Sequence, residues 1–293
     1  MPSLRILLLT TLAMIAFAGN SILCRLALKE TSIDPASFTS LRLLSGAVIL
    51  WLVSLHKPVI ENGDRKHWQH GNWISAVALF AYAAGFSFAY VNMNAATGAL
   101  LLFGAVQVTM IGHGLWAGER LGPLQLVGTF IAIAGLVVLL LPGATAPPPL
   151  ASSLMLGAGV AWGVYSLRGI GQEDPTRVTA GNFILAAPVT LALSLLLRQQ
   201  VSFDLAGVIY AILSGAVASG IGYVIWYAAL PALKSTTAAT VQLSVPVITA
   251  IGGVLFLHES VDLRMVLSSV AILGGIALVI VARNNRNDAS ATE

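Results

Sequence analysis

Aromatic side chains that carry polar atoms recur inside apolar stretches of the sequence, and these residues could hold a small molecule. Tyr82, Phe86 and Tyr90 are four residues apart, which places them along one face of a helix. Trp162 and Tyr165 are three residues apart in a second apolar stretch. A phenol or indole in hydrocarbon needs a partner for its polar atom, and a bound solute or a neighbouring helix can supply it. Both interpretations stay open at this point.

A third apolar stretch carries Ser219, Tyr223 and Tyr227 at the same spacing, and two further stretches carry the amides of Asn20 and Gln242. Rings combined with a few amide donors and acceptors suit a flat, mostly apolar solute. The candidate substrate-binding residues are Asn20, Tyr82, Phe86, Trp162, Tyr165, Tyr223 and Gln242.

Three residues could provide gating or charge. Arg42 lies about two helical turns inside its apolar stretch, where it could bind a substrate carboxylate, extend toward the surface or pair with Asp34. His113 lies a turn from the end of its stretch, so it is a proton-sensitive gate or an interfacial polar residue. Pro246 interrupts backbone hydrogen bonding where a helix could bend during gating or be statically kinked.

The sequence lacks the motifs of catalysis and metal binding. It has no His-Glu-x-x-His pair and no Gly-x-Ser-x-Gly turn, and Cys24 is its single cysteine. Every Asp and Glu can be assigned to a loop or a helix end, which argues against a carboxylate relay for protons in the apolar interior. We therefore expect no enzyme, no cofactor and no metal.

The composition indicates which elements position these residues. Hydrophobic residues make up 57% of the 293 and charged residues 9%, and the mean hydropathy is +0.87. Soluble proteins carry about 25% charged residues, so the lipid bilayer is the expected solvent. The net charge of +3 is too small for a nucleic-acid-binding surface, and no nucleic-acid partner is expected.

Ten apolar runs have the roughly 20 residues that a membrane-spanning helix needs. They are continuously apolar, whereas strands of a membrane barrel alternate apolar with polar residues, so helices are predicted. The first run also resembles a signal peptide, but its apolar pattern continues to Ile22, which favours a retained helix. The runs are Leu4–Leu23, Ala36–Leu55, Trp73–Val91, Ala95–Ala117, Leu124–Leu141, Ala151–Ile170, Val178–Leu197, Leu205–Leu230, Thr236–Leu257 and Leu263–Ala282.

The distribution of Lys and Arg predicts the orientation. If both termini are cytoplasmic, the inner segments hold most of these residues, as the positive-inside rule requires. The inner residues are Arg5, Lys57, Arg65, Lys66, Arg120, Arg168, Arg177, Lys234, Arg283 and Arg286, and the outer ones are Arg25, Lys29, Arg198 and Arg264.

The chain divides into two similar halves. Residues 1–142 form the first, a proline-rich linker covers 143–150, residues 151–283 form the second, and 284–293 are expected to be a disordered tail. A constant offset pairs Glu119 with Glu259 and Gly135 with Gly275. Because each half has an odd number of spans, the second copy must insert upside down. The predicted fold is therefore an all-α integral membrane protein with ten transmembrane helices in two inverted five-helix repeats around a central cavity.

Two short motifs carry a family resemblance. The first is Gly118-Glu119-Arg120-Leu121, followed by Gly128 and the apolar stretch 131–138, and the second is Leu257-His258-Glu259, with Pro246 before it and the stretch 273–278 after it. They resemble the ends of the two halves in ten-helix (EamA-type) exporters of the drug/metabolite transporter superfamily. The resemblance covers nearly the whole chain. Val106 replaces a common proline, and Phe17-Ala18 replaces a Trp-Gly pair that is kept at Trp162-Gly163.

The chain most resembles the bacterial aromatic amino-acid exporters of that superfamily. The resemblance implies a secondary transporter of the inner membrane that exports small amphipathic metabolites, above all aromatic and other neutral amino acids, by alternating access. Uniport or exchange fits the absence of an embedded carboxylate, and a monomer is expected. Two alternatives are a proton-coupled efflux carrier for drugs or other metabolites and a channel, although neither a filter loop nor a ring of charges is evident.

Overall fold

The computed structural model describes residues 4–55, 70–118, 121–143, 146–233, 238 and 241–290, with side chains as far as Ala282. Within these ranges the chain is helical and contains no strand. Several residues used in the sequence analysis lie outside the described part: Lys57, Arg65, Lys66, Glu119, Arg120, Lys234, residues 144 and 145 of the linker, and the first residues of the run Thr236–Leu257.

Ten helices account for the fold, and nine of those in the described chain are long and apolar enough to cross a bilayer. The shorter one is α9. The helices are α1 (Leu4–Glu30), α2 (Pro35–Leu55), α3 (Trp73–Tyr90), α4 (Ala95–Trp116), α5 (Pro123–Leu140), α6 (Pro149–Gly169), α7 (Pro175–Leu196), α8 (Leu205–Ala232), α9 (Ser244–Leu257) and α10 (Leu263–Ser290).

Polar residues between the apolar runs fix where helices begin. The side chain of Asp34 accepts hydrogen bonds from the first amides of α2, and Asn72, Asp174 and Asp204 cap α3, α7 and α8 in the same way. Carboxylate and amide oxygens at these positions satisfy donors that the helix itself leaves unpaired. The acids that the sequence assigns to loops and helix ends thus define helix boundaries.

Two helices are longer than the sequence predicts. The first continues seven residues beyond Leu23, to Glu30, because the side chain of Arg25 is buried and paired and does not force the chain out of the bundle. The last continues to Ser290, through most of the segment 284–293 that was expected to be disordered.

The pairing of helices repeats between the two halves. The contact of α3 with α6 has its counterpart in α8 with α1, that of α4 with α6 in α9 with α1, and that of α3 with α7 in α8 with α2. The pairs α2 with α7 and α5 with α10 map onto themselves. An exchange of helix n for helix n+5 therefore preserves the arrangement, as a pseudo-two-fold axis requires, and confirms the predicted fold of two five-helix repeats.

Helices α5 and α10 form a peripheral pair that touches backbone to backbone. A Cβ atom at Gly128 would lie 2.6 Å from the carbonyl oxygen of Gly275, so only glycine allows this approach. The outward faces of the pair are apolar, and Phe130 is 76% exposed. Lipid is the solvent that such a surface requires.

Helix α8 is not an α-helix throughout, because its middle, Leu213–Ile221, is π-helical. Hydrogen bonds in a π-helix join residues five apart, so Gly215 and Gly220 lie on one face, and both pack against α2. A Cβ atom at Gly215 would collide with the carbonyl oxygen of Arg42, and one at Gly220 would collide with Ile49. This close contact holds the backbone of Arg42 against α8.

Candidate functional site

An aromatic cluster joins the two halves, with the indole of Trp162 at its centre. The ring centroid of Trp162 lies 4.7 Å from that of Tyr82, 5.3 Å from that of Tyr165 and 5.6 Å from that of Tyr223. These rings come from α3 in the first half and from α6 and α8 in the second. The cluster therefore lies where the halves would move against each other. Its members are Phe17, Tyr82, Phe86, Tyr90, Trp162, Tyr165, Phe183, Tyr223, Trp226 and Tyr227.

The predicted stripe on α3 forms one arm of the aromatic cluster. Tyr82 contacts Phe86 at 5.4 Å, and Phe86 contacts Tyr90 at 4.6 Å. The predicted stripe on α8 forms another arm, with Tyr223 and Tyr227 stacked at 6.2 Å. Rings in direct contact fill the space between the halves in this conformation, so a ring-bearing solute would bind by replacing ring–ring contacts with its own.

Polar groups on several helices converge on the phenol of Tyr82. Its oxygen accepts a hydrogen bond from Asn20 Nδ2 at 3.2 Å and another from Arg42 Nη2 at 2.9 Å. Asn20 Oδ1 in turn accepts from Ser214 Oγ of the π-helical stretch at 2.6 Å. Elsewhere in the aromatic cluster Asn182 Nδ2 donates to the Tyr165 oxygen at 3.4 Å.

Arg42 is the buried charge of the site. It is 2% exposed, and its guanidinium lies over two rings, 5.1 Å from the centroid of Tyr82 and 4.9 Å from that of Phe86. Among the described residues, Arg42 Nε and Nη1 have no hydrogen-bond partner. An Arg that is stacked on ring faces gains cation–π attraction and still lacks acceptors for most of its N–H groups.

Two of the predicted roles for Arg42 are wrong. Its side chain does not extend to the surface, because its guanidinium is held over rings in the interior. It does not pair with Asp34, because that carboxylate accepts from the amides of Ala36, Ser37 and Ser202. The Asp34 carboxylate thus caps α2 and links the α1–α2 loop to the α7–α8 loop through hydrogen bonds.

One end of the bundle holds a buried ion pair that the sequence patterns did not predict. Arg25 Nε contacts Glu259 Oε1 at 3.1 Å, and the two side chains are 10% and 7% exposed. Arg25 Nη1 also donates to the carbonyl oxygens of Tyr90 and Val91 at 2.8 and 2.9 Å. The Ala95 amide donates to Glu259 Oε2 at 2.8 Å. The pair links α1, the α3–α4 turn and Glu259, the second residue after α9. We call it the end lock.

The other end of the bundle has a small crevice of about 20 Å³ that reaches the aromatic cluster at Tyr165 and Tyr227. Arg168 lies at its mouth and donates to Asn72 Oδ1 at 2.9 Å and to Ser75 Oγ at 3.1 Å. The crevice is lined by Ser75, Tyr165, Arg168, Gly169, Gln172, Pro175, Val178, Thr179, Asn182 and Tyr227. The crevice has room for about one water molecule, so it would have to widen before a solute could reach the rings from this end.

The structure brings Asn20, Tyr82, Phe86, Trp162, Tyr165 and Tyr223 into one cluster, but three other candidates lie apart. In the described chain no ring contact or side-chain hydrogen bond joins them to the cluster. Gln242 is half-buried just before α9. His113 is exposed on α4, where its ring contacts Trp116 at 6.3 Å.

Pro246 lies in the first turn of α9, where its missing N–H costs that helix no hydrogen bond. Residues 241 and 242 are also helical, and the helical run is interrupted between them and α9 by a turn at Leu243. A role of Pro246 in gating stays a prediction.

Comparison with known proteins identifies the family. The model of the EamA-like transporter family matches residues 4–141 and again residues 149–281. An uncharacterised protein of Pseudomonas aeruginosa is 53% identical over 289 residues, which is 98% of each chain. An uncharacterised transporter of Archaeoglobus fulgidus is 27% identical over 92% of this chain and 96% of its own. A solved crystal structure with 21% identity has the same fold, with a TM-score of 0.65 over 94% of this chain and 97% of its own.

These matches confirm the predicted transporter family. Proteins of this family are transporters and not enzymes, which agrees with the expectation from the missing catalytic motifs. The protein is accordingly a multi-pass membrane transporter in a lipid bilayer. One family model that fits each half of a ten-helix bundle in turn places this chain in the EamA-like transporter family of the drug/metabolite transporter superfamily.

Proposed function

We propose that this transporter is a secondary carrier that exports small amphipathic metabolites with a flat ring, among them aromatic and other neutral amino acids. The observation that carries the proposal is the aromatic cluster itself, in which rings from both halves meet at Trp162 between the end lock and the small crevice beside Arg168. A flat solute gains stacking and apolar burial among such rings, and the hydroxyl and amide groups beside them offer hydrogen bonds.

Transport proceeds by alternating access. The half formed by residues 1–142 rocks against the half formed by 151–283, with residues 143–150 as the connection, so that only one end of the aromatic cluster is open at a time. Opening of the bundle at the C-terminal end of α9 requires Arg25 and Glu259 to separate. Water that enters with the separation hydrates both charges and offsets part of the lost attraction, so that the pair acts as a reversible latch.

Uniport or exchange is the proposed mode of transport. The acids of the described chain lie in loops or at helix ends, and Glu259, which is buried, is already bound to Arg25. A proton-coupled carrier commonly relies on an acid or histidine inside the membrane as its relay. The distribution of acids therefore favours movement down the substrate gradient.

The proposed location is the bacterial inner membrane, with both termini cytoplasmic and the protein a monomer. In this orientation the crevice beside Arg168 faces the cytoplasm, and the end lock faces outward. Export then begins when the crevice widens and admits the solute from the cytoplasm, and the arginines of the α6–α7 region support this orientation through the positive-inside rule.

Flux measurements on purified protein in liposomes test the proposal. We expect saturable uptake of an aromatic amino acid that accelerates when unlabelled substrate is trapped inside, and at least a tenfold loss of uptake in Trp162→Ala. The matched control is Trp116→Ala, because that indole is 88% exposed on α4 and should leave uptake unchanged. An ohmic current without saturation would establish a channel, and full activity in both Trp162→Ala and Tyr82→Ala would remove the site.

A further inference from the structure

The buried guanidinium of Arg42 has no counter-ion among the residues that the structure describes. The groups that face it are Tyr82 and Phe86 on α3, Cys24 on α1 and Tyr223 on α8. Phenols and thiols are uncharged at neutral pH, whereas a guanidinium stays protonated in proteins. The site therefore carries one positive charge that the described neighbours do not neutralise.

The hydrogen bonds of Arg42 are also incomplete. Its Nη2 donates to the Tyr82 oxygen at 2.9 Å, but Nε and Nη1 have no partner among the described residues. Ring faces attract the charge without accepting these N–H groups in hydrogen bonds of normal strength. A buried cation with unused donors beside a set of stacked rings points to a ligand that brings both a negative charge and acceptor atoms.

A carboxylate supplies both, and it fits the position of Arg42. The guanidinium lies over Tyr82 and Phe86, and Tyr82 contacts Trp162 at 4.7 Å, so a solute with a ring among these residues can place an attached carboxylate at Arg42. Arg and carboxylate form strong charge-assisted hydrogen bonds, which are strongest where water is excluded.

An ammonium group finds no counter-ion in the aromatic cluster among the described residues. Asn20 Oδ1, the amide acceptor beside Tyr82, already accepts one hydrogen bond from Ser214 Oγ at 2.6 Å and could accept only one more, and the carboxylates of the described chain lie in loops and at helix ends. A zwitterion would bury its cationic group close to the charge of Arg42 and without a counter-ion, which is unfavourable in a low dielectric.

We propose that Arg42 binds the carboxylate of the substrate and that the preferred substrates are aromatic monocarboxylates, ahead of zwitterionic amino acids and neutral amphiphiles. This inference rests on the proposed carrier function and narrows its substrate class. An anionic substrate also provides a driving force that needs no proton relay. If its negative charge crosses the membrane with it, the inside-negative membrane potential drives it out of the cell.

Three ligands that share a phenyl ring on a three-carbon chain and differ in charge test the inference. They are 3-phenylpropanoate, phenylalanine and 3-phenylpropanamide. Each is added as a competitor of the uptake of labelled 3-phenylpropanoate into proteoliposomes. We expect the carboxylate to inhibit at a concentration at least tenfold lower than the other two. In purified Arg42→Gln, calorimetry should show that the affinity for 3-phenylpropanoate falls to the affinity for 3-phenylpropanamide. The affinity for the amide should stay within threefold of its wild-type value. Arg42→Lys should restore part of the difference, and Arg198→Gln, an exposed arginine of the α7–α8 loop, should match the wild type.

The outcomes separate this inference from the proposed function. Two results would overturn the inference but not the proposed carrier function. One is saturable exchange of phenylalanine with no stronger inhibition by 3-phenylpropanoate than by the other two ligands. The other is a preference for the carboxylate that persists in Arg42→Gln. Absence of saturable transport for all three ligands overturns the carrier. A valinomycin-imposed potential, positive on the side toward which the anion moves, should accelerate flux of 3-phenylpropanoate severalfold, and indifference to the potential refutes export of a net anion.

Discussion

Removal of the negative charge from the end lock should open the end of the bundle that it closes. In Glu259→Gln the amide oxygen can still accept from the Ala95 amide, but Arg25 loses its counter-ion while it stays about 90% buried. Loss of one partner from a buried hydrogen-bonded charge pair costs about 2–5 kcal/mol. The substitution destabilises the closed state, in which Arg25 is buried, and not the open state, in which Arg25 is hydrated. A difference of about 3 kcal/mol shifts the equilibrium between the two states roughly 100-fold toward the open one.

The single cysteine provides the assay. Cys24 is buried next to Arg25 in α1, so a membrane-impermeant maleimide reaches it only when this end opens. In nanodiscs we expect Glu259→Gln to raise the labelling rate at least tenfold, and Glu259→Asp to raise it less because the charge remains.

The matched control is Glu30→Gln. The Lys29–Glu30 pair lies at the same end of α1 but is 36% and 53% exposed, and exposed pairs contribute about 0–1 kcal/mol. A labelling rate in Glu259→Gln that equals those of the wild type and of Glu30→Gln would refute the reasoning that the end lock holds this end closed.

Two further substitutions test the surroundings of Arg42. Gly215→Ala places a methyl group against the Arg42 carbonyl oxygen and should lower stability by about 1–3 kcal/mol, seen as a lower Tm in detergent, whereas Gly157→Ala meets open space and should not. Tyr82→Phe removes the oxygen that accepts from both Asn20 and Arg42, and leaves the guanidinium without its polar partner. We expect the KM for an aromatic solute to rise about tenfold in Tyr82→Phe, and an unchanged KM would show that this network does not orient the substrate.

Local sequence patterns predicted the helices and much of the aromatic cluster. Membrane-spanning helices follow from the length and the continuity of the apolar runs. A helix pairs its backbone polar groups within one segment, whereas a barrel strand would alternate apolar with polar residues. The spacing of Tyr82, Phe86 and Tyr90 predicted a common face, and their rings do contact one another in that order. Periodicity within one helix is a local property and can be read from one chain.

Long-range pairing was not predictable in the same way. Arg25 and Glu259 are 234 residues apart, and nothing in either neighbourhood indicates that one satisfies the other. The alignment of Glu259 with Glu119 in the internal repeat singled out the glutamate, but it did not indicate its partner. The environment of Arg42 likewise depends on ring faces from α3, so its burial without an acid could not be derived from the composition of α2.

The π-helical stretch was missed because four-residue spacing was assumed throughout α8. Gly215 and Gly220 are five residues apart and face the same neighbour, as residues joined by the hydrogen bonds of a π-helix do. Two glycines at this interval do not by themselves distinguish a π-helix from an α-helix, so no local pattern predicted this stretch.

The same stretch gives α8 a second way to move. Since a π-helical turn takes up more residues than an α-helical turn, rewinding of Leu213–Ile221 into α-helix would rotate the segment Gly222–Ala229 about its own axis. Tyr223, 5.6 Å from Trp162 in this conformation, would swing out of its stack while the other nine helices stayed in place. A torsional step of this kind would let a solute slip between the rings before any larger rearrangement began, and it would make the winding of a single helix part of the kinetic barrier to transport.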